Sequence, residues 1–363
     1  MAGLLLNITT DQKPKVSKYT DELLNLAIDK HGFGSPQYKG IYNQYFKMPN
    51  QEKSNLVNRR HYEAEMTGED LPNGLERLYK RVTVIDLLST CASECVYCLR
   101  GYYQKFALSE TDMQEIAKFC GNDPYLREVL ITGGDPFMSP RKLKYLITAL
   151  ANNAPNIKII RIGTRLPVQS PNKFDQSLND FFYSLRNRFA FEISCQINHP
   201  FELQEITRNI LLGLRKAGCL IYSQNVLLRD VNDNIETLIE LYDELRYLSV
   251  TPHYLFHAVP MKGTDNFRTT VYEGLELIKQ LTSKGEISGR AKPQYALMTD
   301  IGKVTLYQDS IIRRDDSHLI IKSSFHLEDR LKWNPSYTLP DSAIINSDGT
   351  LSVRYLDGDA CLK

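Results

Sequence analysis

The chain of 363 residues carries 44 basic and 43 acidic side chains, a net charge of +1, so no global field draws it to nucleic acid or to an anionic membrane. Its length suffices for one large core with additions or for two smaller ones. Seven cysteines, an odd number, fit a reducing cytoplasm better than a secreted disulfide framework; the opening residues lack a basic n-region, and no apolar run is long enough to span a bilayer.

Residues 1–75 read as a helical, tyrosine-rich extension. Thr20 is the expected N-cap, Leu23, Leu24, Ala27 and Ile28 form a helical stripe, and Gly32 is the stop. Tyr38, Ile41, Tyr42, Tyr45 and Phe46 repeat the pattern after a break at Gly32–Pro36, and packing explains them best. Over residues 76–290, short β-branched runs alternate with amphipathic helices. Strands are expected near Val82–Leu88, Val129–Thr132, Ile157–Gly163, Ala190–Cys195, Leu220–Leu227 and Thr251–His257, with helices near 111–120, 140–152, 175–187, 203–217, 234–247 and 271–283. Repeated strand–helix units predict an α/β fold, a parallel sheet with right-handed crossovers curled like a partial barrel, its reactive groups at the carboxyl ends of the strands. Residues 291–363 read as a β-rich appendage with strands near Tyr295–Thr299, Lys303–Tyr307, His318–Ile321, Ala343–Asn346 and Leu351–Tyr355, the last two joined by a turn at Ser347-Asp348-Gly349.

The densest chemical signal is Cys91-Ala-Ser-Glu-Cys95-Val-Tyr-Cys98, in the loop after the first expected barrel strand. Thiolates hold iron–sulfur clusters, and three in a compact set leave one iron of a cubane able to chelate another group. Zinc, with His61 or His199 as a fourth ligand, is the competing reading, although zinc frameworks usually use two separated C-x2-C pairs. A closed electron-transfer cluster would require a distant thiol from Cys120, Cys195, Cys219 or Cys361. After the second strand comes Gly133-Gly134-Asp135, whose glycines would let backbone approach a ligand while the carboxylate stands ready for an ammonium group. Arg165, Asn198-His199-Pro200, Arg229 to Asp233 and His257 follow the later strands, so all are expected on one rim.

The C-x3-C-x2-C spacing, with Tyr97 before the last cysteine, resembles the signature of radical S-adenosylmethionine enzymes, which also place a Gly-Gly-acid motif after their second barrel strand. Cys91 to Arg100, Ile131 to Pro136, Arg161 to Pro167, Asn198 to Pro200, Gln224 to Asp233, Pro252 to Tyr254 and Asn266 to Thr269 are similar, in order, to segments of the lysine 2,3-aminomutase family. The similarity covers about 74 to 310. It implies a TIM-like partial (β/α)6 radical SAM barrel carrying a [4Fe–4S] cluster on Cys91, Cys95 and Cys98, together with S-adenosylmethionine and pyridoxal 5′-phosphate. Gly133, Gly134, Asp135 and Gln224 would contact cofactor, Tyr79 and Arg81 would meet the pyridoxal group, Arg100 would grip the substrate carboxylate, and Lys303 would supply the Schiff-base amine that such enzymes require.

The implied activity is that of an isomerase, a 2,3-aminomutase moving an α-amino group to the neighbouring β-carbon of an amino acid, with a reductant such as flavodoxin or ferredoxin, and with a homo-oligomer left open. Lysine-specific members bind the distal ammonium through two aspartates. Here Val259 stands in one of those places and Asp300 is an ambiguous substitute for the other. A buried ammonium without a carboxylate is severely disfavoured, so the expected substrate is an amino acid other than lysine. A radical reaction without pyridoxal phosphate, on peptide, RNA or metabolite, is the alternative.

Overall fold

The computed structural model describes residues 14–48, 71–98, 105–261, 264–283, 285–307, 309–315 and 317–358. Two helices come first, α1 (Lys18–His31) and α2 (Pro36–Tyr45). Ser17, not Thr20, caps α1: its hydroxyl accepts from the Thr20 N–H, which places Thr20 inside the first turn. Gly32 ends the helix at φ 88°, and Ser35 with Pro36 starts the next.

A sheet of nine strands follows in the order β1 to β9. The elements are β1 (Leu75–Glu76), β2 (Val82–Leu88), α3 (Glu110–Asn122), β3 (Glu128–Gly133), α4 (Pro140–Asn153), β4 (Ile159–Thr164), α5 (Ser177–Leu185), β5 (Ala190–Cys195), α6 (Glu205–Lys216), β6 (Leu220–Leu227), α7 (Ile235–Tyr247), β7 (Thr251–His257), α8 (Val271–Ser283), β8 (Gln294–Thr299) and β9 (Gly302–Thr305). Strands β2 to β8 pair in parallel, while β1 and β9 run antiparallel at the two edges. A second, four-stranded antiparallel sheet is built from β10 (Ile311–Asp315), β11 (His318–His326), β12 (Ala343–Ile345) and β13 (Thr350–Leu356), ordered β10-β11-β13-β12. The fold is the expected α/β partial barrel with an antiparallel appendage, and β8 and β9 of the β-rich segment continue the large sheet.

The two-residue period of the strands divides the molecule. Ile85, Leu87, Val129, Ile131, Ile160, Ile162, Ile193 and Ile221 face outward and are buried with Met113, Ile116, Leu146, Leu150, Phe182, Leu211, Leu214 and Leu241, each such side chain contributing about 1.5–3 kcal/mol. The alternate residues, Leu130, Thr132, Arg161, Gly163, Ser194, Gln196, Gln224 and Val226, face a cavity. A fully packed barrel fills its interior with branched apolar residues. The polar character of these positions is the mark of an interior kept open for ligands. Among the described residues, no helix is long and apolar enough to cross a membrane.

Candidate active site

The cysteine loop leaves the carboxyl end of β2 and is fastened from both sides. On the barrel side, Gly134 and Asp135 donate their backbone N–H groups to Leu88 O at 2.5 Å and Thr90 O at 2.9 Å. The glycines are needed for this contact itself: a Cβ on Gly133 would stand 2.4 Å from Leu88 O, and one on Gly134 would stand 2.5 Å from both N and O of Thr90. On the other side the N-terminal helices grip the loop, with Glu94 N donating to Lys15 O at 2.7 Å, Val96 N to Gln44 O at 3.0 Å and Ser17 N to Ser93 Oγ at 2.9 Å.

Asp135 departs from expectation. Its carboxylate is buried and accepts from Phe137 N at 3.0 Å, Arg165 N at 2.7 Å, Leu166 N at 2.7 Å and the Thr164 hydroxyl at 2.8 Å. These donors consume the oxygens that were expected to receive an ammonium group, and the side chain staples the end of β3 to the end of β4. Burial pushes its carboxyl up against the downward pull of those hydrogen bonds.

Cys91, Cys95 and Cys98 all line one cavity of about 590 Å³, within the rough 300–1,000 Å³ range of small-molecule sites. None of the three forms a disulfide. Burial, then the Asp135 carboxylate and the neighbouring thiols, push the Cys91 thiol up, a penalty that coordination to a metal cation reverses. Among the described residues no three His, Cys, Asp or Glu side chains converge on a single ion; a cubane asks for a different arrangement, one thiolate on each of three irons. Two donors aimed at sulfur fit a cluster thiolate: Arg165 Nη1 lies 2.9 Å and Gln169 Nε2 3.2 Å from Cys95 Sγ. Among the described residues the other cysteines, Cys120, Cys195 and Cys219, are buried and absent from the cavity wall.

Lys303 stands on the same wall, on the edge strand β9 opposite Met298 of β8. Its Nζ lies over the rings of Tyr254 at 4.4 Å and Phe256 at 5.2 Å. Its backbone N–H donates to Tyr79 Oη at 2.9 Å. Gly302, at φ 108°, would carry a Cβ 2.9 Å from that phenol, so glycine lets the turn press against Tyr79. The two edges of the large sheet meet here, through Leu78 and Tyr79 rather than through strand pairing.

Below this level Arg161 is flanked by Glu128 at 2.6 Å and Glu192 at 3.2 Å. Four positions separate Arg161 from Arg165 along β4, about 13 Å at strand rise, so the cavity runs from the thiols down to an ionic floor. Burial raises the Glu128 carboxyl, opposed by Arg161. Burial, then Lys303 and Arg161, lower the His253 imidazole to about 4.

Residues 80–178 match the family Fer4_12, described as a 4Fe-4S single cluster domain. A protein of Aquifex aeolicus (strain VF5) named "Putative L-lysine 2,3-aminomutase" is 34% identical over 252 residues, covering 68% of this chain and 66% of that one. The L-lysine 2,3-aminomutase of Clostridium subterminale is 29% identical over 265 residues, covering 71% and 62%. The glutamate 2,3-aminomutase of Clostridioides difficile (strain 630) is 28% identical over 279 residues, covering 72% and 65%. The chain belongs to the lysine 2,3-aminomutase family. It spans about two thirds of the length of these curated relatives, 66% and 62% of the first two.

Set against this family, the expected site residues sort by where the fold puts them. Cys91, Cys95, Cys98, Gly133, Gly134, Asp135, Gln224, Tyr79 and Lys303 line this same cavity; Gln224 Nε2 reaches Ser194 Oγ at 3.4 Å. Arg81 does not line it. Its side chain is exposed at the foot of β2, at the strand's amino end, because the residue leaves the sheet on the solvent side before the first inward position. Arg100, Cys361 and His61 lie outside the described residues. Val259 is on the cavity wall, whereas Asp300 turns to Ser342, whose hydroxyl donates to Oδ2 at 2.5 Å. His199 does not line the cavity; its Nδ1 accepts from Phe201 N at 3.1 Å, and its ring packs on Gly40 of α2. His257 bridges Tyr355 Oη and Thr269 O at 2.8 Å each, tying the barrel to the second sheet.

Reasoning from sequence missed Arg165 and Gln169 as neighbours of Cys95. The Arg165-Leu166-Pro167-Val168-Gln169 run after β4 carries the signal: proline at the second position of a single helical turn places residues 165 and 169 on one side of it.

Proposed function

We propose that this protein is a radical S-adenosylmethionine, pyridoxal phosphate-dependent 2,3-aminomutase acting on an amino acid other than lysine. The observation that carries the reading is that three cluster-type thiols and one lysine amine line the same cavity. Its supports are the family, the loop geometry and the shape of the wall.

When bound, the cluster with S-adenosylmethionine supplies a carbon radical able to take a hydrogen atom, and pyridoxal phosphate supplies a π-system that spreads an unpaired electron. The chain's own residues have simpler tasks. Cys91, Cys95 and Cys98 would hold the cluster at the rim, with Arg165 and Gln169 fixing the direction of the Cys95 sulfur. Lys303 would hold the pyridoxal carbonyl carbon, its amine placed by the antiparallel β8–β9 turn and by the faces of Tyr254 and Phe256. Val226, Val259 and Met298 would give the wall apolar faces that exclude solvent and leave a reactive radical no C–H bond but those of the bound substrate and the lining itself. A distal ammonium would meet Val259 without a carboxylate partner, an arrangement that costs several kcal/mol, and the relatives include a glutamate as well as lysine enzymes.

The test is anaerobic reconstitution with iron, sulfide, S-adenosylmethionine and pyridoxal phosphate, followed by a screen of α-amino acids for β-amino products. The expected result is turnover of an amino acid other than lysine and a lysine-dependent visible absorbance that Lys303→Ala abolishes. Faster turnover of lysine than of any other amino acid would overturn the substrate assignment. Unchanged absorbance and activity in Lys303→Ala would overturn the pyridoxal assignment.

A further inference from the structure

Arg165 is buried beside the thiols, and its guanidinium donates to four side chains. Nη1 donates to Cys95 Sγ at 2.9 Å and to Tyr97 Oη at 2.5 Å; Nη2 donates to Gln44 Oε1 at 3.0 Å and to Glu202 Oε1 at 2.5 Å. The guanidinium of arginine stays charged in proteins, and the Glu202 carboxylate beside it offsets the cost of burying that charge. Glu202 is itself fully buried, its second oxygen accepting from Asn198 N at 2.7 Å and His199 N at 3.0 Å. A buried ion pair is therefore set end-on to one thiol: sulfur, guanidinium, carboxylate.

We infer that the Arg165–Glu202 pair sets the reduction potential of the cluster held by Cys91, Cys95 and Cys98, Arg165 raising it through the Cys95 sulfur and Glu202 limiting the rise. The inference rests on the proposed function. Reduction adds one electron, supplied by an external one-electron donor that is oxidised, and the added negative charge spreads onto the cysteine sulfurs. A cationic donor at 2.9 Å from one of them stabilises the reduced cluster more than the oxidised one, and hydrogen bonds to sulfur are a recognised lever on such potentials. A carboxylate behind the guanidinium acts with the opposite sign. In an interior that screens charge weakly, both effects persist. Neither residue touches a reacting atom, so both are positioning residues.

The experiment compares wild type, Arg165→Gln, Arg165→Lys and Glu202→Gln as full-length protein after anaerobic reconstitution. Iron and sulfide are counted first, and the midpoint potential is then read from the electron paramagnetic resonance signal of the reduced cluster during a mediated titration with dithionite. Arg165→Gln is expected to move the midpoint to more negative potential and Glu202→Gln to less negative potential, with Arg165→Lys between Arg165→Gln and wild type. A merely structural role would broaden the signal or lower iron content in each variant without opposite displacements. Failure of wild type to assemble a cluster overturns the proposed function, and the inference with it. Clusters in all proteins with coincident midpoints, or midpoints displaced in one direction, overturn the inference alone. If Arg165→Gln does not fold, Glu202→Gln and Arg165→Lys still carry opposite predicted displacements.

Discussion

The two ends of the cavity are held in different ways. At the thiol end, the loop is bonded to α1, to α2, to the close of β3 and to the turn after β4, and Asp135, Arg165, Gln169 and Glu202 each connect segments distant in the chain. At the lysine end, Lys303 lies on the short edge strand β9, aligned by the β8 ladder and by one phenol across the seam. Under the proposed function, sulfurs that would hold a cluster in fixed directions call for many tethers, whereas an amine that would reach a carbonyl carbon calls for a long side chain on a short strand.

The largest effect that would sharpen this contrast comes from the ligands. Cys95→Ala is expected to lose its iron and all product formation, while Lys303→Ala loses product formation and keeps wild-type iron content; equal iron in both would break the comparison. Next comes Asp135→Ala, which strands the buried backbone N–H groups of Phe137 and Arg165, while Leu166 N keeps its bond to the Thr164 hydroxyl. At roughly 1–3 kcal/mol for each unsatisfied donor, its urea midpoint should fall far below that of Lys303→Ala, whose folding stability should stay within about 1 kcal/mol of wild type.

A smaller effect is titration. His199, packed against Gly40 of α2, is lowered by burial to about 4, against about 6.5 in an unfolded chain. Between those values the unfolded chain binds the extra proton, so stability present above pH 6.5 is lost as pH falls toward 4, by on the order of 2 kcal/mol between pH 6.5 and 5. His257 and His253, also lowered by burial, act with the same sign. Urea unfolding at pH 7 and pH 5 should therefore show a smaller difference in His199→Asn than in wild type; an equal difference removes His199 from the account. The smallest effect is Tyr79→Phe, which deletes the acceptor for Lys303 N at the seam and should cost about 1 kcal/mol, detectable as a slight fall in melting temperature.

Much of this was readable in the residues because it is local. The six parallel strands from β2 to β7 lie where period-two runs put them, and their helices lie where the apolar stripes do, since each pattern is written in consecutive positions. The thiols were legible for the same reason: three cysteines within eight residues need no tertiary knowledge to be seen as a group. What escaped was long-range. Arg165 reaches Gln44 across 121 positions and Cys95 across 70, and no spacing rule encodes such meetings. Asp135 was assigned to a ligand because its type fits an ammonium group, yet the turn after β4 offered it backbone donors first. Ser17 displaced Thr20 as the cap because two hydroxyls three residues apart compete for one helix start, and the neighbouring Ser93 and Gln169 take up Thr20 instead. Strand β10 was missed because its run, Ile311 to Asp315, is largely exposed and charged, with little apolar alternation to mark it.

The seam between Tyr79 and β9 has a mechanical consequence. Where neighbouring strands are laced by backbone hydrogen bonds, parting them breaks a whole row at once; here Leu78 and Tyr79 bear on Gly302 and Lys303 through side chains. Parting the sheet along that line disturbs the Lys303 N–Tyr79 Oη hydrogen bond and the packing on Gly302, so the seam and the Lys303 amine belong to one piece of chain.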